Sequence, residues 1–123
     1  MVEVAEVRRL ALALPQTEDH SDGARLVFEV RGGKGLAWGY LARLVPKKPR
    51  VLQPDVLAVR CPIEKKEMLI AAAPDRFFDD DHYRGFPAVL VRLAAIEADE
   101  LAALFKDAWR LSAPKALLKA FPE

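Results

Sequence analysis

The chain has 123 residues, of which 52% are hydrophobic, so it is long enough to bury one substantial core and we expect a single domain over residues 1–123. Its 19 basic and 18 acidic residues leave a net charge of +1, which excludes the strong overall field of a polycationic protein. The only cysteine, Cys61, excludes an internal disulfide.

The N-terminal segment is unlike a signal peptide, because charged residues are spread among its apolar ones, as at Glu3, Glu6 and Arg8. The uncharged apolar runs are also much shorter than the ~20 residues that a membrane-spanning helix requires. No Cys/His cluster at zinc spacing is present. We therefore expect a cytoplasmic protein with no membrane association, no bound metal and no cofactor.

The predicted elements begin with a helix over 3–14 that ends at Pro15, followed by a polar loop from Gln16 to Gly23. Alternation predicts a strand over 25–31, a hairpin turn at Gly32–Gly35 and a second strand from Leu36 to Leu44. In this second strand the alternation puts Leu36, Trp38 and Tyr40 on the apolar side.

Prolines at 46, 49 and 54 predict that residues 46–54 form a projecting loop, with the third strand running from Val56 to Cys61. A short helix is predicted from Pro62 to Pro74, a brief strand at Phe77–Phe78, a charged loop over 79–87 and a last strand over 88–93. A helix with a wide apolar side begins near Ala98, and a final short helix starts at Pro114.

The order of helix, three strands, helix, two strands and helix does not alternate as βαβ units do. It therefore predicts an α+β fold with two layers. In this fold a mainly antiparallel five-stranded sheet carries helices on one face, in the order α-β-β-β-α-β-β-α.

Several long segments resemble one family: PKKPRVLQPDVLAVRCP over 46–62, DDDHYRGFPAVLVRLAAI over 79–96 and DAWRLSAPK over 107–115. Together with the helix that ends in Ala13, Leu14 and Pro15, they resemble the MmcQ/YjbR family of small bacterial proteins, especially its shorter actinobacterial-type branch. The resemblance implies a five-stranded antiparallel sheet with packed helices, in the class of secretion-chaperone-like architectures. It also implies DNA binding, the activity with which the family is commonly labelled.

The strongest functional signal in the residues themselves is local charge, because residues 25–50 contain seven basic residues and one acid. Strand periodicity places several arginines opposite the apolar side chains, where they face solvent. We expect a basic sheet face with two basic loops that contacts the phosphates of double-stranded DNA without reading its sequence. The candidate residues are Arg25, Arg31, Lys34, Arg43, Lys47, Lys48, Arg50, Arg60 and Arg92.

Two other functions are open on this sequence. The sheet face or an apolar patch is suited to binding a protein partner or a second copy of the chain. Alternatively, His82 and Tyr83 belong to the pocket of a small-molecule enzyme, although no complete catalytic motif accompanies them and we expect no catalytic residue.

The remaining chemistry-bearing residues have simpler interpretations. The Asp79–Asp81 run and His82 are expected to anchor a loop, because adjacent aspartates in an extended segment point in different directions. Cys61 is expected to pack as a small hydrophobe rather than to form a dyad with His82. The turn RGGKG lacks the serine or threonine of a phosphate loop. Trp38, Tyr40 and Trp109 are expected in the core, and bases would stack on them only if they are exposed.

Overall fold

The computed structural model describes residues 1–122. Its elements are α1 (Val4–Leu12), β1 (Thr17–Asp19), β2 (Val27–Val30), β3 (Gly35–Ala42), β4 (Val51–Arg60), α2 (Ile63–Ala72), β5 (Phe77–Phe78), β6 (Ala88–Arg92), α3 (Ala98–Ser112) and α4 (Lys115–Ala120). The strands form one sheet in the order β1-β2-β3-β4-β6-β5, and every neighbouring pair is antiparallel. The α+β fold predicted from the sequence is confirmed.

The sheet has one strand more than the five predicted. Residues 17–19, expected to lie in a polar loop, form the edge strand β1 opposite Phe28–Val30. The sequence TED contains no apolar residue, and two of its three residues are only partly buried, so this strand leaves no periodic signal.

The main core lies between the sheet and α1 and α3. Helix α3 begins at Ala98, as predicted, and buries Leu101, Leu104, Phe105 and Ala108, which repeat every three or four residues. The adjacent Trp109 is also buried, and its indole donates a hydrogen bond to the carbonyl of Pro15, 2.8 Å away. This bond connects α3 to the turn that follows α1.

Strand β3 carries a bulge that reverses the expected side-chain directions. Phe28 pairs with Ala37 while Glu29 pairs with Gly35, so Leu36 is an extra residue in the ladder. Leu36 and Ala37 are both fully buried in the main core. Trp38 consequently points away from the helices, and the prediction that it shares a side with Leu36 is wrong.

The β3–β4 connection is shorter than predicted, because β4 already begins at Val51. The register shifts between Gly39, which pairs with Leu57, and Tyr40, which pairs with Gln53. Pro54 lies in this interruption of the ladder, where its missing N–H removes no pairing bond. The prediction that residues up to Pro54 stay outside the sheet is therefore wrong, and only residues 43–50 project.

The hairpin between β2 and β3 is held against the end of α3. The backbone N–H of Lys34 donates to the carbonyl of Ser112 at 2.9 Å. A Cβ on Gly33 would lie 2.0 Å from the same carbonyl oxygen, so only glycine fits this approach. The basic turn at 32–35 is thus fixed at the helical layer.

Candidate nucleic-acid interface

The sheet face opposite the helices, here called the outer face, carries a second apolar cluster made largely of aromatic rings. It contains Trp38, Tyr40, Phe78 and Tyr83, and Phe86 lies beside it. The rings meet edge to face: Trp38 and Phe86 have centroids 6.2 Å apart, Tyr83 and Phe86 5.9 Å, and Tyr40 and Tyr83 5.8 Å. Such T-shaped contacts are favoured by the ring quadrupoles.

The 79–87 segment folds over this face and is held there by side-chain hydrogen bonds. The indole N–H of Trp38 donates to the Tyr83 hydroxyl at 2.9 Å. The Tyr40 hydroxyl donates to the Asp80 carboxylate, whose other oxygen accepts the backbone N–H of Tyr83 at 2.8 Å. Burial, followed by the bond to Asp80, raises the pKa of Tyr40 above its usual value.

A buried lysine anchors the same segment from α2. Lys66 is 2% exposed, and its ammonium donates to the carbonyls of Tyr83 at 2.7 Å and Phe86 at 3.0 Å. It also pairs with the Asp79 carboxylate at 3.0 Å. These three partners match the three N–H donors of an ammonium group, so the charge is buried but fully paired.

The three consecutive aspartates have three different partners, as expected of a loop anchor. Asp79 pairs with Lys66 and Asp80 binds Tyr40, whereas Asp81 pairs with Arg84 at 2.8 Å on the surface. The carboxylates therefore do not converge on a cation. Within residues 1–122 no three His, Cys, Asp or Glu side chains are grouped to hold a metal ion.

Three adjoining depressions open on the outer face. The first, here called the aromatic cleft, has a volume of 430 Å³ and is lined by Arg25, Trp38, His82, Tyr83 and Phe86. The second, of 330 Å³, shares the Arg25, Trp38 and Phe86 walls and adds Arg60 and Glu29. The third, of 370 Å³, shares His82 and adds Tyr40, Arg43, Arg50, Asp80 and Asp81. His82 and Tyr83 thus do line a cleft, although His82 itself is exposed.

Two arginines on this face rest on aromatic rings. The Arg60 guanidinium lies 5.4 Å from the Trp38 ring centroid and donates to the Gly35 carbonyl at 2.7 Å. Partial burial lowers the pKa of this guanidinium. Arg92 lies 4.0 Å from the Phe78 centroid. The rings fix these cations in place by cation–π attraction.

The structure brings only part of the predicted basic set together. Arg25 lines the aromatic cleft and the second depression, Arg60 lines the second, and Arg43 and Arg50 line the third. Arg92 belongs to the same face at β6, opposite Val56 of β4. The four others lie at the ends of the sheet: Lys47 and Lys48 are exposed in the 43–50 connection, and Arg31 and Lys34 lie at the β2–β3 hairpin.

Ion pairing separates this set from the other cations of the chain. Of the nine candidate residues only Arg31 has a carboxylate within ion-pair distance among residues 1–122, namely Glu18 at 2.6 Å. Six of the ten other lysines and arginines are paired within the same residues: Arg8, Arg9, Lys65, Lys66, Arg76 and Arg84. Eight of the twelve lysines and arginines that have no ion-pair partner within residues 1–122 therefore belong to the candidate set, and the other four lie in α3 and α4.

Cys61 belongs to the main core and is 1% exposed, and burial raises the pKa of its thiol. It packs as a small hydrophobe, as expected, on the far side of the sheet from the cleft. None of the helices within residues 1–122 has the length and apolar character needed to cross a bilayer.

Sequence reasoning missed Lys66 and the aromatic cluster. A signal for Lys66 was present, because Leu69, Ile70 and Ala73 follow it at helical spacing; Ala73 is buried and the other two are partly buried. The sequence contains no comparable signal for the aromatic cluster, because the position of Trp38 on the outer face depends on the β3 bulge.

Comparison with known proteins places the chain in a family. The sequence model of the YjbR family matches residues 12–111, from the end of α1 almost to the end of α3. Uncharacterized proteins of Mycobacterium tuberculosis and Mycobacterium bovis are 47% identical over 68 residues, which are 54% of this chain. The match spans 53% of each of those relatives, about half of their length.

A solved structure has the same fold. The crystal structure of a Deinococcus radiodurans protein with the domain described as DUF419 superposes with a TM-score of 0.69 at 22% identity, over 98% of this chain and 88% of that one. At this identity the likeness concerns the fold alone. The match to the family model covers most of the chain, and the protein therefore belongs to the YjbR family.

Proposed function

We propose that the outer face binds DNA weakly and without sequence preference, through contacts between its basic side chains and phosphates. The observation that carries this proposal is the ion-pairing pattern, since eight of the nine candidate cations have no carboxylate partner within residues 1–122. A cation without an internal partner has its Coulomb attraction available for an external anion. Phosphate contacts position a nucleic acid but carry no base information.

The 43–50 connection supplies the most accessible cations. Arg43 donates to the Lys48 carbonyl at 2.7 Å, which closes the connection on itself. Lys47 adopts a left-handed backbone with φ 67° and stands exposed beside Lys48 at the tip. Arg50 at the base of this connection also lines the third depression. The connection therefore extends the basic surface of the sheet beyond the ends of β3 and β4.

The other candidate residues contribute unequally to the proposed interface. Arg31 is the weakest, because Glu18 neutralises it. Lys34 lies at a hairpin whose backbone is held against Ser112, at the border of the helical layer. Arg25, Arg60 and Arg92 lie on the outer face itself, next to Trp38 or Phe78.

A second candidate function is contact with a protein partner or with another copy of the chain. It is favoured by the exposed aliphatic side chains beside the basic tip, where Leu44 is 63%, Val45 53% and Val51 47% exposed. Clustered exposed apolar residues commonly mark contact surfaces.

The test of DNA binding is a pair of matched charge reversals. Lys47, Lys48 and Arg50 are replaced together by Glu, and a control replaces Lys106, Lys115 and Lys119 of α3 and α4 by Glu. Both variants change the net charge equally, and none of the six residues has an ion-pair partner within residues 1–122. Binding to two labelled duplexes of unrelated sequence is measured by fluorescence anisotropy.

We expect the first reversal to weaken binding to both duplexes equally, by at least about tenfold at low salt, and the control to change it much less. Equal losses of affinity in the two variants would show that only the net charge of the protein matters, and this would contradict the assigned surface. A wild-type chain that binds neither duplex at low salt would end the proposal for duplex DNA. If that chain also elutes as a dimer, the contact function remains.

A further inference from the structure

The geometry of the aromatic cleft points to a more specific ligand: we infer that it accepts an unpaired nucleobase, so that the chain prefers single-stranded nucleic acid to a duplex. This inference rests on the proposed function, because it names the class of nucleic acid that the same face binds. It goes beyond phosphate contact, since it requires one base to leave solvent and stack on the protein.

The walls of the cleft are suited to a flat aromatic ring. Trp38 is half-buried, Phe86 is 40% exposed, and Tyr83 and His82 complete the wall, so aromatic surface faces the open volume. The volume of 430 Å³ falls within the range of about 300–1,000 Å³ that is usual for small-ligand sites. Bases stack on such side chains regardless of sequence, because every base has a π face.

Charge in the cleft also favours a nucleic acid. Arg25 is its only side chain of fixed charge, and none of its five lining residues is acidic. A guanidinium beside aromatic rings can stack on a base or bind a phosphate. A ligand that is only anionic, or only apolar, would use just one of these two features.

Cations line both depressions that adjoin the cleft, where they can contact the phosphates next to a stacked base. The second depression shares the Trp38 and Phe86 walls with the cleft and contains Arg60, together with one acidic residue, Glu29. Across His82 lie Arg43 and Arg50, with Asp80 engaged by Tyr40 and Asp81 by Arg84. Phosphates on either side of the base would meet one of these groups each.

A duplex cannot use the cleft in this way, because its bases are already paired and stacked and it presents only phosphates and groove edges. Comparing strands with and without bases therefore tests this inference separately from the proposed phosphate contacts. The probes are labelled 15-mers: oligothymidylate, an abasic strand with the same number of phosphates, and a duplex, which carries twice the charge of either strand.

The variant is Phe86→Ala, and the chain offers a close control in Phe121→Ala. Phe121 is 42% exposed and meets Trp109 edge-on at 6.2 Å, as Phe86 meets Trp38 at 6.2 Å. Phe86→Leu serves as a second variant, because it keeps apolar bulk against Trp38 and Tyr83 but removes the aromatic face. Thermal unfolding of each variant verifies that it is folded.

We expect oligothymidylate to bind the wild-type chain at least about fivefold more tightly than the abasic strand, the effect of one stacked base. Phe86→Ala and Phe86→Leu should remove this advantage by weakening oligothymidylate binding much more than abasic or duplex binding, and Phe121→Ala should leave it intact. Tryptophan fluorescence should fall with oligothymidylate only, through Trp38, because Trp109 is 3% exposed.

Equal, salt-sensitive binding of the thymidylate and abasic strands, unaffected at Phe86, would overturn the base-stacking inference and leave the proposed function standing. If none of the three probes binds at low salt, both fail. An advantage of thymidylate that survives in both Phe86 variants would also contradict the assignment of the cleft.

Discussion

Tyr40 connects the sheet to the 79–87 segment. Its ring packs on Phe78 and Tyr83, and its hydroxyl donates to Asp80, which in turn orders the backbone of Tyr83. Since burial and this bond both favour the neutral phenol, the folded state holds the Tyr40 proton more tightly than the unfolded chain does.

This proton linkage predicts a loss of stability in alkali. The pKa of Tyr40 is raised on folding, so its contribution is complete below the usual tyrosine pKa of about 10 and is lost as the pH rises above it. In urea unfolding the wild-type chain should lose stability above that pH more steeply than a Tyr40→Phe variant. Parallel curves for the two proteins would contradict the assigned hydrogen bond.

Single residues differ in how far the sequence reveals their place. The burial of Leu101 and Phe105 follows from the spacing of apolar residues in α3, and Cys61 follows from its position at a strand end. Trp38 could not be placed correctly, because one inserted residue in a ladder reverses all directions after it. The insertion at Leu36 depends on pairing with β2, which local periodicity does not record.

At the scale of elements, α2 acts as the support of the 79–87 segment. The Lys66 ammonium reaches two backbone carbonyls and one carboxylate of that segment. The neighbouring Lys65 points elsewhere and pairs with Asp107 of α3 on the surface. Of these two adjacent lysines, Lys66 therefore anchors the 79–87 segment, whereas Lys65 makes only a surface ion pair.

A pair of substitutions tests this difference. Lys66→Met leaves buried carbonyls and Asp79 without their donor and should lower the free energy of unfolding by roughly 2–4 kcal/mol. Lys65→Met, the matched control, removes a surface pair and should cost less than about 1 kcal/mol. Urea unfolding measures both, and similar small losses would show that Lys66 does not anchor the segment.

Elements with a strong local signal were predicted well. The α1 and α3 helices, the Phe77–Phe78 strand and the strand that begins at Ala88 all occur where spacing and proline positions indicated. The edge strand β1 and the start of β4 were missed. Both are formed by pairing with a neighbour, and β4 accommodates Pro54 at a register shift rather than excluding it.

Across the whole molecule, the candidate cations differ from most other cations in ion pairing. Net charge is only +1, yet six cations outside the candidate set are paired with acids, and eight within it are unpaired, among residues 1–122. The local excess over 25–50 was visible in the sequence. Strand periodicity also predicted that Arg60 and Arg92 share the basic face, although the register that pairs Arg92 with Val56 and Arg60 with Ala88 is set by strand pairing.

The helical layer and the outer face therefore differ in character. The helices bury the main core, whereas the opposite face is covered only in part by the 79–87 segment and leaves clefts beside Arg25, Arg50 and Arg60. A sheet face that carries aromatic rings and unpaired cations is suited to a polyanion with flat groups.

The most direct test of the central claim, phosphate neutralisation by the outer face, is the salt dependence of binding. The affinity of the wild-type chain for a labelled strand of random sequence is measured by anisotropy over a series of salt concentrations. If three to six phosphates are contacted, the logarithm of the affinity should fall linearly with the logarithm of salt, with a slope of about −2 to −4 for a single strand. A slope near zero, or no binding at low salt, would contradict the account.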